Sequence, residues 1–186
     1  MSQKGRSYLA IPGPSIIPER VLNAMHRPSP DIYKGELHEL TASLIPDLQT
    51  VAQTEAKVAI YIANGHGAWE AAIANTLSPG DEVLTLATGR FAFGWAEIAE
   101  KLGVKITVLD FGKSTGVNLE KVEEFLTKDT SNKFKAILVA HTDTSTSIRT
   151  DLKELRMCID KVGHKAMIFA DCIASLGTDC FKMDDW

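Results

Sequence analysis

A three-layer α/β fold, with a mostly parallel sheet flanked by helices, is what this sequence of 186 residues predicts. Three observations carry that expectation. Short apolar runs rich in β-branched residues alternate with longer amphipathic segments along most of the chain. Several of the short runs are apolar at nearly every position, which suits strands covered on both faces. Gly103 and Gly163 stand just past two amphipathic segments, where helix C-caps belong.

Taken in order, Pro18 to His26 reads as a short helix, opened by a proline of the kind favoured in a first turn and carrying Val21, Leu22 and Met25 on one face. Leu37, Leu40, Leu44, Leu48 and Val51 recur at helical spacing, but Pro46 lacks an N–H and is expected to kink or interrupt that helix. Strands are expected at Val58 to Ala63, Glu82 to Ala87, Lys105 to Asp110, Lys135 to Ala140 and Ala166 to Asp171. Helices are expected between them at Gly67 to Leu77, Phe91 to Leu102, Leu119 to Leu126 and Leu152 to Val162. Strand, helix, strand in repetition implies parallel pairing. No low-complexity linker divides the chain.

The composition, 45% hydrophobic and 24% charged, is that of an ordinary globular protein. With a net charge of -4 and both signs interspersed, the sequence offers no basic stripe for a nucleic-acid backbone. No apolar run is long enough for a signal peptide or a membrane span, so a cytoplasmic protein with no membrane or nucleic-acid partner is expected. Cys158, Cys172 and Cys180 form no CxxC pair and are read as reduced. The five histidines show no metal-binding spacing, and no metal site is expected.

In an open parallel sheet, ligands bind beyond the carboxyl ends of the strands. That rule selects four segments. Asn64-Gly65-His66-Gly67 precedes an alanine-rich helix, whose free amides and positive dipole end attract a phosphate; the alternative is a tight turn that needs glycine. His66 either offers its backbone amide or is a bystander. In Thr88-Gly89-Arg90-Phe91-Ala92-Phe93-Gly94-Trp95, an aromatic ring could stack on a planar ligand or simply join the core. Phe91 is nearest the strand end and is assigned the stacking role, leaving Phe93 and Trp95 to packing. The polar run His141-Thr142-Asp143-Thr144-Ser145-Thr146-Ser147 could face a ligand oxygen or cap helices, and Asp151 beyond it has the position of an N-cap. Asp171 ends an apolar strand, where a carboxylate is costly unless it meets a cation or several donors; a turn or cap role is the alternative.

Together these segments resemble the class V, fold-type I aminotransferases of the alanine–glyoxylate and serine–glyoxylate branch. PGPSIIPERVLNAM, NGHGAWEAAIANTLSPGDEVL, TGRFAFGW, HTDTSTS and ADCIASLG followed by KMDDW carry the likeness over nearly the whole chain. The resemblance implies pyridoxal 5'-phosphate as cofactor, with Asn64, Gly65 and His66 at its phosphate and Asn64 standing where the family usually has serine. It implies Phe91 stacked on the pyridine ring and Ile173 on the opposite face. Ser145, or Thr144 in a register one residue earlier, corresponds to the hydroxyl near the ring's 3-oxygen. Asp171 corresponds to the catalytic aspartate paired with the pyridine nitrogen, and Pro12 and Gly13 to a loop near the substrate.

The implied reaction moves an amino group from alanine or serine to glyoxylate, giving glycine and a 2-oxo acid, in a protein that works as a homodimer. The Schiff-base lysine of the family lies in an S-x-S-Q-K segment after the next strand, and no such segment occurs here. Lys182, in FKMDDW, matches the preceding connection and is not assigned that role. The expectation is therefore a truncated large domain of the pyridoxal-phosphate-dependent transferase fold, inactive alone. Residues 1–52 would form an N-terminal arm and helices, residues 53–186 an incomplete cofactor-binding domain, and the small C-terminal domain would be absent. A class V lyase resembling cysteine desulfurase is the alternative enzyme, but it needs a mobile reactive cysteine that none of the three matches. A non-catalytic fragment is the alternative if nothing follows Trp186.

Overall fold

The computed structural model describes residues 8–186, which divide into two compact units between Ile45 and Pro46. The division falls inside a helix, at Pro46. In the first unit, α1 (Glu19–Met25) follows Pro18, which sits at the N-cap just outside the helix. The expected apolar face of α1 is exposed: Val21, Leu22 and Met25 are all open. Pro12 and Gly13 lie in an exposed bend. The second helix, α2 (Glu36–Ala52), contains Pro46 and is not interrupted by it, since a missing N–H removes one rung of the ladder while the neighbouring turns keep theirs.

The second unit carries the sheet. Its elements run α3 (Gly65–Thr76), β1 (Glu82–Ala87), α4 (Arg90–Lys101), β2 (Lys105–Asp110), α5 (Leu119–Lys128), β3 (Phe134–Ala140), β4 (Thr142–Asp143), β5 (Ile148–Arg149), α6 (Leu152–Val162) and β6 (Met167–Asp171). Four strands lie in the order β2-β1-β3-β6, all parallel, while β4 and β5 form a small antiparallel hairpin. The fold is three-layered because strand residues alternate between faces. Val83, Ala136 and Leu138 pack with Trp69 and Ile73 of α3 and Trp95 and Ala99 of α4. Leu84, Leu86, Ile137 and Val139 point the other way, onto Val122 and Leu126 of α5 and Leu155 and Ile159 of α6.

Local chemistry sets the helix ends. Asn64, Asn118 and Asp151 each accept a backbone N–H from the first turn of α3, α5 and α6, which satisfies one of the donors a helix start leaves unpaired. The cap expected at Asp151 is thus present. Gly163 ends α6 in the left-handed region, at φ 71°, where a side chain is strained.

Two expectations fail. Val58 to Ala63 is not a strand: Ile60, Tyr61 and Ile62 are 51%, 54% and 106% exposed, and no strand among the described residues pairs with them. Apolar, β-branched composition favours a strand only where a ladder partner exists. Full cover on both faces holds for β1 and β3 but not for β2 and β6, which are the edges of the four-stranded sheet and have a neighbour on one side only. No described helix is long and apolar enough to cross a membrane.

Candidate active site

From β1 the chain steps outward to β2, then returns past β1 to β3 and β6, so the strand order reverses between β1 and β3. Connections leaving the two strands there diverge, opening a crevice beyond their carboxyl ends. Thr88 to Phe91, His141 to Ser145 and Asp171 all follow strands at this end.

Asp171 closes β6 half-buried. One carboxylate oxygen accepts the indole N–H of Trp69 at 3.1 Å and the other accepts the amide of Ile173 at 2.9 Å. Two neutral donors hold the side chain in one orientation and leave further acceptor capacity, since an ionised carboxylate offers about four lone-pair sites. Trp69 went unassigned in the sequence. Its place inside α3 reads as ordinary core, yet a buried indole N–H needs an acceptor, and a strand-end carboxylate needs donors.

Around Trp69 gathers an aromatic group. His66 meets it edge-on at 4.6 Å between ring centroids, Phe91 edge-on at 6.3 Å, and Trp95 in a stack at 5.6 Å. His66 and Phe91 are 6.4 Å apart. The structure therefore brings together residues from α3, α4 and β6. Trp95 is buried as expected, whereas Phe93 is 37% exposed and is not a core residue, because its place on α4 faces away from the Trp69 side.

At the start of α3, Asn64 Oδ1 accepts from Gly67 N at 3.2 Å, and the amides of Gly65 and His66 have no partner among the described residues. Ile173 lies beside this turn: a Cβ placed on Gly65 would be 3.9 Å from Ile173 Cγ1. Ile173 itself is 70% exposed.

The polar run after β3 divides its labour. Asp143, fully buried, accepts from Phe91 N at 3.0 Å and Ala92 N at 3.3 Å through one oxygen. Through the other it accepts from Ser145 N at 2.9 Å and Ser145 Oγ at 2.6 Å. Ser145 Oγ in turn accepts from Arg90 N at 2.9 Å. All three first-turn amides of α4 are thus capped from another segment, and the Ser145 hydroxyl is committed to that cap. The Thr144 hydroxyl has no partner among the described residues.

His141 is buried, with Nδ1 2.8 Å from Ser175 Oγ and its backbone N–H donating to Asp171 O at 2.9 Å. Burial and the Arg149 charge push the imidazole pKa down, against the opposing pull of Asp179 and Asp151, so the ring is neutral near pH 7. Burial pushes the Cys172 thiol up to about 12, aided by the Asp171 charge, against a hydrogen bond from Ser175. Such a thiol stays protonated and is a poor nucleophile. Lys182 is paired with Asp185 at 3.4 Å. No cluster of His, Cys, Asp and Glu suited to a metal ion occurs among the described residues.

This geometry is that of a fold-type I large domain, and comparison with known proteins gives it a family. The aminotransferase class-V family model matches residues 7–186, so the chain belongs to that family. It is 38% identical over 183 residues to serine–glyoxylate aminotransferase of Methylorubrum extorquens, covering 98% of this chain and 46% of that protein. It is 34% identical to L-aspartate–glyoxylate aminotransferase of Paracoccus denitrificans, covering 95% of this chain and 45% of that one. The structure of alanine–glyoxylate aminotransferase from Nostoc sp. superposes with a TM-score of 0.86 at 26% identity, covering all of this chain and 48% of that one. The chain thus spans about half the length of the relatives it matches.

Proposed function

We propose that the whole protein is a pyridoxal-phosphate-dependent aminotransferase that moves an amino group from alanine or serine to glyoxylate, giving glycine and a 2-oxo acid. The observation that carries this reading is Asp171, a carboxylate at the end of β6 fixed by Trp69 and Ile173 N, with acceptor capacity to spare. The relatives' names share glyoxylate and differ in the donor, which supports the acceptor more strongly than any one donor.

The described residues fit the cofactor. The Gly65 and His66 amides, behind the Asn64 cap, suit its phosphate at the positive end of α3. Phe91 and Ile173 supply apolar surface for the two ring faces, and Asp171 favours a proton on the ring nitrogen. Between the two hydroxyls expected near the ring's 3-oxygen, the committed Ser145 and the uncommitted Thr144, the geometry favours Thr144. When bound, the cofactor supplies an electron sink for the substrate's α-carbon. The reading assigns the Schiff-base lysine to the half of the relatives' length that this chain does not span, and the working form to a homodimer. Residues 53–186 are part of the cofactor-binding domain. Pro12 and Gly13 remain assigned to the substrate loop on the resemblance alone.

The test is Asp171→Asn in the whole protein. Turnover of alanine or serine with glyoxylate should fall about 10²–10³-fold, as expected for removing a charge that strengthens in the transition state. Circular dichroism should show the fold intact. Unchanged turnover in a folded variant would reject the assignment.

A further inference from the structure

Asp143 is the most heavily bonded carboxylate at this end of the sheet, and nothing in the reaction uses it directly. It lies on β4, fully buried, and receives four N–H or O–H donors, two from the first turn of α4 and two from Ser145. One of those donors is the backbone amide of Phe91. The carboxylate therefore ties the segment after β3 to the segment after β1, across the crevice between them.

Crowding at Gly89 shows how closely the two are drawn together. Gly89 precedes α4 with an extended φ of 178°, a conformation open to any residue. A Cβ there would nevertheless overlap the Asp143 carboxyl group and come within 2.6 Å of Ser145 Oγ. The contact is made at the N-terminus of a 12-residue helix, where a negative charge is also favoured by the helix dipole. Phe91 follows two residues after the glycine, with Trp69 edge-on to its ring and His66 tilted at 44° to it. Its freedom to tilt is limited by packing on one side and by its own anchored amide on the other.

We propose that Asp143 is a positioning residue, whose buried carboxylate gathers the first turn of α4 and thereby sets the tilt of the Phe91 ring against the cofactor plane. The proposal rests on the reading of Phe91 as the stacking ring. A charged hydrogen-bond acceptor in a dry site is stiff, and the ring inherits that stiffness through its backbone.

A double-mutant cycle in the whole holoenzyme tests it, with Phe91→Ala, Asp143→Asn and the pair compared for cofactor dissociation constant and for the visible circular dichroism of bound cofactor. Asparagine keeps the size of the side chain but sets an NH2 group against the Ser145 donors. Each single change should weaken cofactor binding, Phe91→Ala by about tenfold for the loss of one aromatic contact, and the pair should lose no more than Phe91→Ala alone. Asp143→Asn should also alter the visible dichroism while near-ultraviolet dichroism of the cofactor-free protein stays native. If Phe91→Ala changes neither readout, the stacking assignment itself is wrong and the inference falls with it. If Phe91→Ala weakens binding but the two effects add, Asp143 acts independently of the ring and only the positioning role is overturned. Should Asp143→Asn not fold, Ser145→Ala, which cuts the bridge to Arg90 N, enters the same cycle, and additivity there is equally decisive against the proposal.

Discussion

Two buried imidazoles stand at opposite ends of the sheet. At the amino end, His164 precedes β6 with both ring nitrogens used: Nε2 lies 3.0 Å from Asp129 Oδ2 and Nδ1 accepts Ala166 N at 3.1 Å. Asp129 is equally well supplied, taking Phe134 N at 3.1 Å and Ser131 Oγ at 3.0 Å as well. At the carboxyl end, His141 spends Nδ1 on Ser175, but Nε2 has no hydrogen-bond partner among the described residues, and Asp179 is 4.0 Å away. Thr88, just past β1, likewise holds a buried hydroxyl with no partner among the described residues. At the amino rim the buried carboxylate, Asp129, is spent on joining elements. The other keeps unspent polar groups beside Asp171, and this is the rim shared by the turns proposed to hold the cofactor.

The largest effect that could break this comparison comes from Asp129→Ala in the whole protein. It leaves the Phe134 amide and His164 without an acceptor and should cost about 3 kcal/mol, measured by denaturant unfolding. Cofactor affinity should not move. A matching loss of affinity would mean that the two rims are not separate.

Gly89→Ala perturbs the carboxyl rim. Forcing a methyl against Asp143 should cost about 2 kcal/mol, as for overpacking elsewhere, and unlike the previous change it should also weaken cofactor retention in equilibrium dialysis. Retention equal to the parent's would show that the α4 cap tolerates displacement.

A finer division comes from pH. Despite burial, which alone would raise it, the hydrogen bonds of His164, Phe134, Lys133 and Ser131 lower the Asp129 carboxyl from 3.8 to about 2. A depressed carboxylate contributes stability that is complete above its unfolded value and lost as pH falls through the folded one. The melting temperature of the parent minus that of Asp129→Asn should therefore be constant above about pH 5 and shrink between pH 4 and 2, the window set by those two values. A difference that stays flat down to pH 2 would show that the charge of Asp129 contributes nothing.

The smallest expected effect is that of Phe93→Ala, within about 0.5 kcal/mol of the parent, because the side chain is 37% exposed. It should release less cofactor than Phe91→Ala. Equal release from the two would mean that the stacking ring is misassigned.

These contrasts also show what could be read before the structure. The runs at Glu82 to Ala87 and Lys105 to Asp110 became β1 and β2 with the expected limits, and the strand-end rule led to Asp171 and Phe91, because periodicity and strand polarity are local properties of the chain. Val58 to Ala63 carried the same local signal and formed no strand, since pairing depends on a partner that composition does not reveal. Asp143 and Trp69 were missed as partners for the same reason. Their bonds, to residues 51 and 52 positions away in one case and 102 in the other, are made only when separate βα units come together. Pro46, expected to kink or interrupt its helix, does not interrupt it, since the turns on either side keep their own bonds.

The crowding at Gly89 carries an evolutionary consequence. Its backbone is one that any amino acid can adopt, so the demand for glycine is imposed wholly by the side chains opposite, Asp143 and Ser145. Positions 89, 143 and 145 should then be inherited together across homologues: a lineage that truncates both Asp143 and Ser145 gains room for a side chain at 89, but loses the tether of α4 and must supply another. None of the three can drift alone, although 54 positions separate Gly89 from Asp143 in the chain.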